Sequence, residues 1–123
     1  MAGGFHKYLS KEDKLQREVI VYLQLQYPQA LVIHVANEGK RTPFERFKFK
    51  YLGGLSGVPD ILIFNPNNKF HGLAIELKVG YNKPTQNQKE ILQDLSDLGW
   101  FAVWLNSFDK AQDLIDKYFN NEL

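Results

Sequence analysis

Val58-Pro59-Asp60-Ile61-Leu62-Ile63-Phe64, the turn Asn65-Pro66-Asn67-Asn68, and Leu73-Ala74-Ile75-Glu76-Leu77-Lys78-Val79 decide how this chain folds. Two apolar runs flank a turn signal, which reads as a hairpin of two strands. Side chains in a strand alternate faces with a period of two. Glu76 and Lys78 therefore share one face, and Ile75, Leu77 and Val79 take the other. Asp60 stands at the mouth of the first run, and pairing of the runs brings it to the face of Glu76. Two carboxylates and an ammonium converging on one spot suit a divalent cation and a phosphate.

Outward from this hairpin the chain alternates helices and strands. Ser10-Lys11-Glu12-Asp13 reads as an N-cap with an acidic residue at the third helical position. The helix runs to about Tyr27 and stops at Pro28. Its apolar side carries Leu15, Val19, Tyr22, Leu23 and Gln26. Ala30 to Ala36 is a strand, and Asn37 to Gly57 is irregular, with a short helix beginning after Pro43. Thr85, with Gln88 three residues on, starts another helix striped by Ile91, Leu92, Leu95 and Leu98. Gly99 suits its C′ position. Trp100 to Leu105 is a fourth strand, and a last helix presents Ala111, Leu114, Ile115, Tyr118 and Phe119. The order is α-β-β-β-α-β-α, an α/β sandwich.

At 123 residues, 44% apolar and 24% charged, the chain has the composition of one globular domain spanning residues 1–123. It contains no cysteine, which excludes disulfides and thiolate metal sites. The amino end, Met-Ala-Gly-Gly-Phe-His-Lys, lacks the apolar core of a signal peptide, so a cytoplasmic protein is expected. The run Trp100 to Leu105 is too short to span a membrane. Net charge is only +1, but it is unevenly spread. Lys40, Arg41, Arg46, Lys48 and Lys50 oppose a single Glu45, and Phe44, Phe47, Phe49 and Tyr51 alternate with them. A basic, aromatic-rich segment fits a grip on a nucleic-acid backbone, and it equally fits a solvated amphipathic segment.

Two polar residues lie on apolar helix faces. Glu18 projects between Leu25 and Tyr22, inside the expected apolar arc. A carboxylate buried there needs a metal or a lysine, whereas at the rim of the arc it reaches solvent. Gln88 shares the face of Ile91 and Leu92. It either closes a capping box with Thr85 or reaches a metal-bound water, a phosphate or Lys78, and the two roles are compatible. His34 packs on its strand. His6 and His71 show no zinc-ligand spacing. Asn37-Glu38-Gly39-Lys40-Arg41 is a polar turn leaving the first strand, either a solvated loop or a grip on DNA phosphates.

Gly57-Val58-Pro59-Asp60, Ile75-Glu76-Leu77-Lys78 and Thr85-Gln86-Asn87-Gln88, with Asn37-Glu38-Gly39-Lys40-Arg41 and Glu18 upstream, resemble the VRR-NUC domain of the PD-(D/E)XK nuclease superfamily. The resemblance covers roughly Leu15 to Ser107, and it looks most like the short stand-alone phage and bacterial forms. It implies a restriction-endonuclease-like mixed sheet of about four strands flanked by helices. It also implies a Mg²⁺ or Mn²⁺ site with Glu18, Asp60 and Glu76 as side-chain ligands and the Leu77 carbonyl as a backbone ligand. Lys78 becomes the catalytic lysine, and Gln88 contacts the active site. Asn37, Lys40, Arg41, Arg46, Lys48 and Lys50 are the expected DNA-binding residues. The implied activity is metal-dependent cleavage of branched or duplex DNA by a homodimer, in the manner of Holliday-junction resolvases, inside a bacterial or phage-infected cell. A restriction-like or general nuclease, and a non-catalytic nucleic-acid-binding module, are the competing readings.

Overall fold

Each of the four α-helices among the described residues starts behind a hydroxyl side chain that accepts a backbone N–H. Ser10 caps α1 (Lys11–Gln26), Thr42 caps α2 (Pro43–Tyr51), Thr85 caps α3 (Gln86–Asp97) and Ser107 caps α4 (Phe108–Phe119). In the first three the third helical residue answers with its own side chain, which completes a capping box. Each such cap contributes about 1 kcal/mol. The computed structural model describes residues 4–35 and 41–123. Its strands are β1 (Val32–His34), β2 (Ile61–Ile63), β3 (Leu73–Leu77) and β4 (Phe101–Leu105). The four helices flank a mixed sheet, so the fold is α/β in the expected element order, with α2 inserted between β1 and β2.

The sheet runs β1-β2-β3-β4. β1 and β2 pair antiparallel, as do β2 and β3, while α3 crosses over to set β4 parallel to β3. The hairpin register matches Ile61 with Ile75 and Leu62 with Ala74. One residue further, the same register faces Asp60 with Glu76.

β3 is buried along its whole length, so both faces of the sheet are covered. On one face Ile61, Ile63, Leu73, Ile75 and Leu77 pack with Leu15, Val19 and Leu23 of α1 and Ala111, Ile115 and Tyr118 of α4. Each fully buried aliphatic side chain there stabilises the fold by roughly 1.5–3 kcal/mol. Asp116 joins the two helices by accepting from the hydroxyls of Tyr22 and Tyr27. The other face belongs to Ala74 and Glu76, and α3 lies over it with Leu92 buried. No helix among the described residues is long and apolar enough to cross a membrane.

Candidate metal centre and nuclease site

The hairpin register does what the alternation predicts. Asp60 and Glu76 meet on one face, and Asp60 Oδ2 accepts the Leu77 N–H at 2.9 Å. Lys78 follows two residues after Glu76, on the same side, with its Nζ 3.4 Å from Glu76 Oε2. Glu76 is 2% exposed and Lys78 is 12% exposed, so the pair lies at the bottom of the site rather than on an open edge.

Gln88 closes the capping box with Thr85 and reaches across to Glu76 rather than to Lys78. Its Oε1 accepts from the Thr85 N–H at 2.9 Å, and its Nε2 donates to Glu76 Oε2 at 3.2 Å. The first turn of α3 thus fixes one oxygen of Glu76. The other, Oε1, is buried with no hydrogen-bond partner among the described residues. A buried carboxylate oxygen without a donor costs free energy until something positive meets it.

The third acid is Glu12. One oxygen of each of Glu12, Asp60 and Glu76 lies within 4.8 Å of the others. Glu18, expected in this place, is exposed and stands outside the cluster. The buried stripe of α1 is Leu15, Val19 and Leu23, and Leu25 is 73% exposed. The arc therefore ends at Tyr22 and does not reach Glu18. On a projection of 3.6 residues per turn, Glu12 falls between Val19 and Leu23, one turn ahead of Leu15. Continuing that stripe towards the N-terminus is the signal that would have found it.

The electrostatics agree with a cation between these acids. All three carboxyls are pushed above their ordinary range, and burial is the largest cause for each. Glu76 goes furthest, to about 7, because the Asp60 charge adds to burial and outweighs the relief from Lys78. The Leu77 N–H and Lys78 partly offset the effect of burial at Asp60. Three acids this close resist ionising together unless a cation joins them. An all-oxygen donor set with one unsatisfied buried oxygen suits a hard divalent ion.

Two neighbours hold Asp60 in position. His34, which looked like a packing residue, is exposed at the end of β1, with Nδ1 3.1 Å from the Asp60 carbonyl oxygen and 2.7 Å from Gln16 Nε2. Val35 N–H donates to the same carbonyl. On the other side Gly57 has φ +82°, in the region that favours glycine. An added Cβ there would stand 2.7 Å from Asn87 Nδ2. Asn87 in turn donates to Ser56 Oγ at 2.9 Å, which ties the loop before Asp60 to the first turn of α3. Glu12, Gln16, His34 and Asp60 open onto a cleft of about 980 Å³ that runs between α1 and β1.

The expected DNA-binding residues divide. Asn37 and Lys40 lie outside the described residues. Arg46, Lys48 and Lys50 are exposed on α2, and Arg46 Nη1 donates to the Arg41 carbonyl at 2.7 Å. The Arg41 guanidinium lies 4.2 Å from the centre of the Phe49 ring.

Comparison with known proteins agrees with this geometry. The family model for the VRR-NUC domain matches residues 6–109. A solved structure described as a VRR_NUC domain protein is 27% identical, with a TM-score of 0.74 over 91% of this chain and 90% of that one. A second, described as a VRR_NUC domain, is 22% identical, with a TM-score of 0.61 over 89% of this chain and 99% of the other, and supports the fold. Among curated proteins no match was found. With a family match over most of its length, and the acids and lysine of the motif gathered on one sheet face, the chain belongs to the VRR-NUC nuclease domain family.

Proposed function

We propose that this protein is a Mg²⁺- or Mn²⁺-dependent endonuclease that hydrolyses phosphodiester bonds in branched DNA, acting as a homodimer. The observation that carries the reading is the convergence of Glu12, Asp60 and Glu76, with Lys78 3.4 Å from Glu76, in a chain of this family. The three carboxylates would hold the ion, with the Leu77 backbone carbonyl as a further ligand. When bound, the ion supplies a water of lowered pKa and positive charge against the attacked phosphate.

The chain's own groups do the remainder. Gln88 holds Glu76 Oε2 and leaves Oε1 for the ion. Lys78 places a positive charge where negative charge grows on the phosphate. Arg41, Arg46, Lys48 and Lys50, with Asn37 and Lys40 ahead of them in the sequence, grip the DNA backbone. A dimer presents two such sites, as paired nicks across a four-way junction require.

The test incubates purified protein and Mg²⁺ or Mn²⁺ with a labelled four-way junction, alongside flap, linear duplex and single-stranded DNA. Glu76→Ala and Lys78→Ala should keep the fold and lose at least about a hundredfold in cleavage rate. Cleavage that persists in both variants removes the proposed site. A native mass measurement checks the dimer, and a preference for linear duplex would reverse the assignment to branched DNA.

A further inference from the structure

None of the residues of α2 is buried, although three of its nine are phenylalanines and a fourth is Tyr51. Phe44, Phe47 and Tyr51 recur at helical spacing and are 67%, 63% and 77% exposed. The Phe47 and Tyr51 rings stack on each other, centroids 5.8 Å apart and planes 24° apart. In projection Lys50 flanks this aromatic stripe on one side and Lys48 on the other. Phe49 points elsewhere, towards Arg41 and Gly54, where its ring lies so close that a Cβ on Gly54 would meet it at 2.5 Å. The stripe is therefore presented to solvent.

An exposed apolar stripe asks for an occupant. The charges around it choose one. Arg41, Arg46, Lys48 and Lys50 stand against Glu45 alone, so a second copy of α2 laid on the first would oppose cations to cations. Nucleic acid supplies the complementary charge, and its bases supply flat faces for stacking. Bases inside an intact duplex are already stacked and hidden from such a helix. We infer that the Phe44–Phe47–Tyr51 stripe of α2 is a stacking platform for unpaired nucleotides, with Lys48 and Lys50 holding the phosphates on either side. This rests on the nuclease reading and extends it: among branched DNAs, those with unpaired nucleotides beside the duplex gain a contact that a fully paired four-way junction lacks. α2 also leads directly into the loop that ends at Asp60, and Ser56 of that loop bonds to α3 beside Gln88.

The test is binding without cleavage. Labelled blunt duplex, the same duplex with a single-stranded tail, and the single strand alone are titrated in EDTA with wild-type protein and with Phe47→Ala/Tyr51→Ala. The double variant should lose about tenfold or more in affinity for the two DNAs with unpaired nucleotides, and at least about fivefold more than it loses on blunt duplex. Phe47→Trp should restore most of the loss, and native mass should not change. Equal losses on all three DNAs, no loss on any, or a fall in native mass would each overturn the inference, the last by showing that the stripe faces a second copy. Because no metal is present, a negative result leaves the cleavage test of Glu76 and Lys78 standing, and a failure of that test leaves this binding preference measurable.

Discussion

Glu12 reaches the acidic cluster because the buried stripe of α1 leads to it. Leu15, Val19 and Leu23 are drawn into the core, and the same stripe carries Glu12 over the C-terminal end of β3. Glu18 faces solvent on another side of the helix. The two acids are six residues apart on one helix, which makes them a controlled pair. Glu12→Ala should weaken divalent-metal binding about tenfold or more, the range seen when a group that supports a metal site is removed. Glu18→Ala should leave metal affinity unchanged and alter stability by no more than about 0.5 kcal/mol. Calorimetric metal titration of both variants reads the first effect, and urea unfolding reads the second. The reverse result would return Glu18 to the site and place Glu12 at the helix N-terminus only as a favourable charge beside the dipole.

At the scale of elements, the features legible in the sequence were those governed by nearest neighbours. The hairpin and the Ser10 and Thr85 caps each depend on spacings of two to four residues, and each is present, whereas the expected stripe of α3 is met only in part: Leu92 is buried, but Leu98 is the C-cap and exposed. Which arc of α1 is buried depends on the partner surface: counting Leu25 in the arc draws in Glu18, whereas the stripe of Leu15, Val19 and Leu23 leads to Glu12. α2 shows the opposite case: its aromatic repeat looks like a core-facing stripe, but no core surface lies opposite. The loop from Gly53 to Asp60 is where local geometry matters most for chemistry, because it delivers Asp60 to Glu76. Gly57→Ala forces a side chain into a positive-φ position and against Asn87. It should cost about 1–3 kcal/mol of stability and lower cleavage beyond that loss by moving Asp60. Adding Asn87→Ala removes the steric part but not the backbone strain, so it should recover the stability only in part. Full recovery in chemical denaturation would mean that the contact, not the φ angle, sets the requirement for glycine.

For the whole molecule, the acidic cluster links folding to pH and to metal with opposite signs. In metal-free protein the Glu76 carboxyl is held up at about 7 against an ordinary 4.5, by burial and by Asp60. Folded protein then binds this proton more tightly than unfolded protein does. The stability associated with it is fully present below about 4.5 and is lost as pH rises through about 7. Asp60 and Glu12 are raised as well and act in the same direction. A divalent ion selects the ionised carboxylates and the folded arrangement that holds them together, so it restores stability where the protons have left. At about a hundred times its dissociation constant the ion stabilises by roughly 2.7 kcal/mol. In chelator, melting temperature should therefore fall between about pH 5 and pH 8, and the fall should be shallower in Glu76→Gln, which has no proton to lose. With saturating Mg²⁺ or Mn²⁺ the wild-type fall should shrink or reverse, and the metal increment should be larger at the upper end of the range. Identical pH profiles for wild type and Glu76→Gln in chelator would place the titration elsewhere, and a metal increment independent of pH would separate the ion from these three acids.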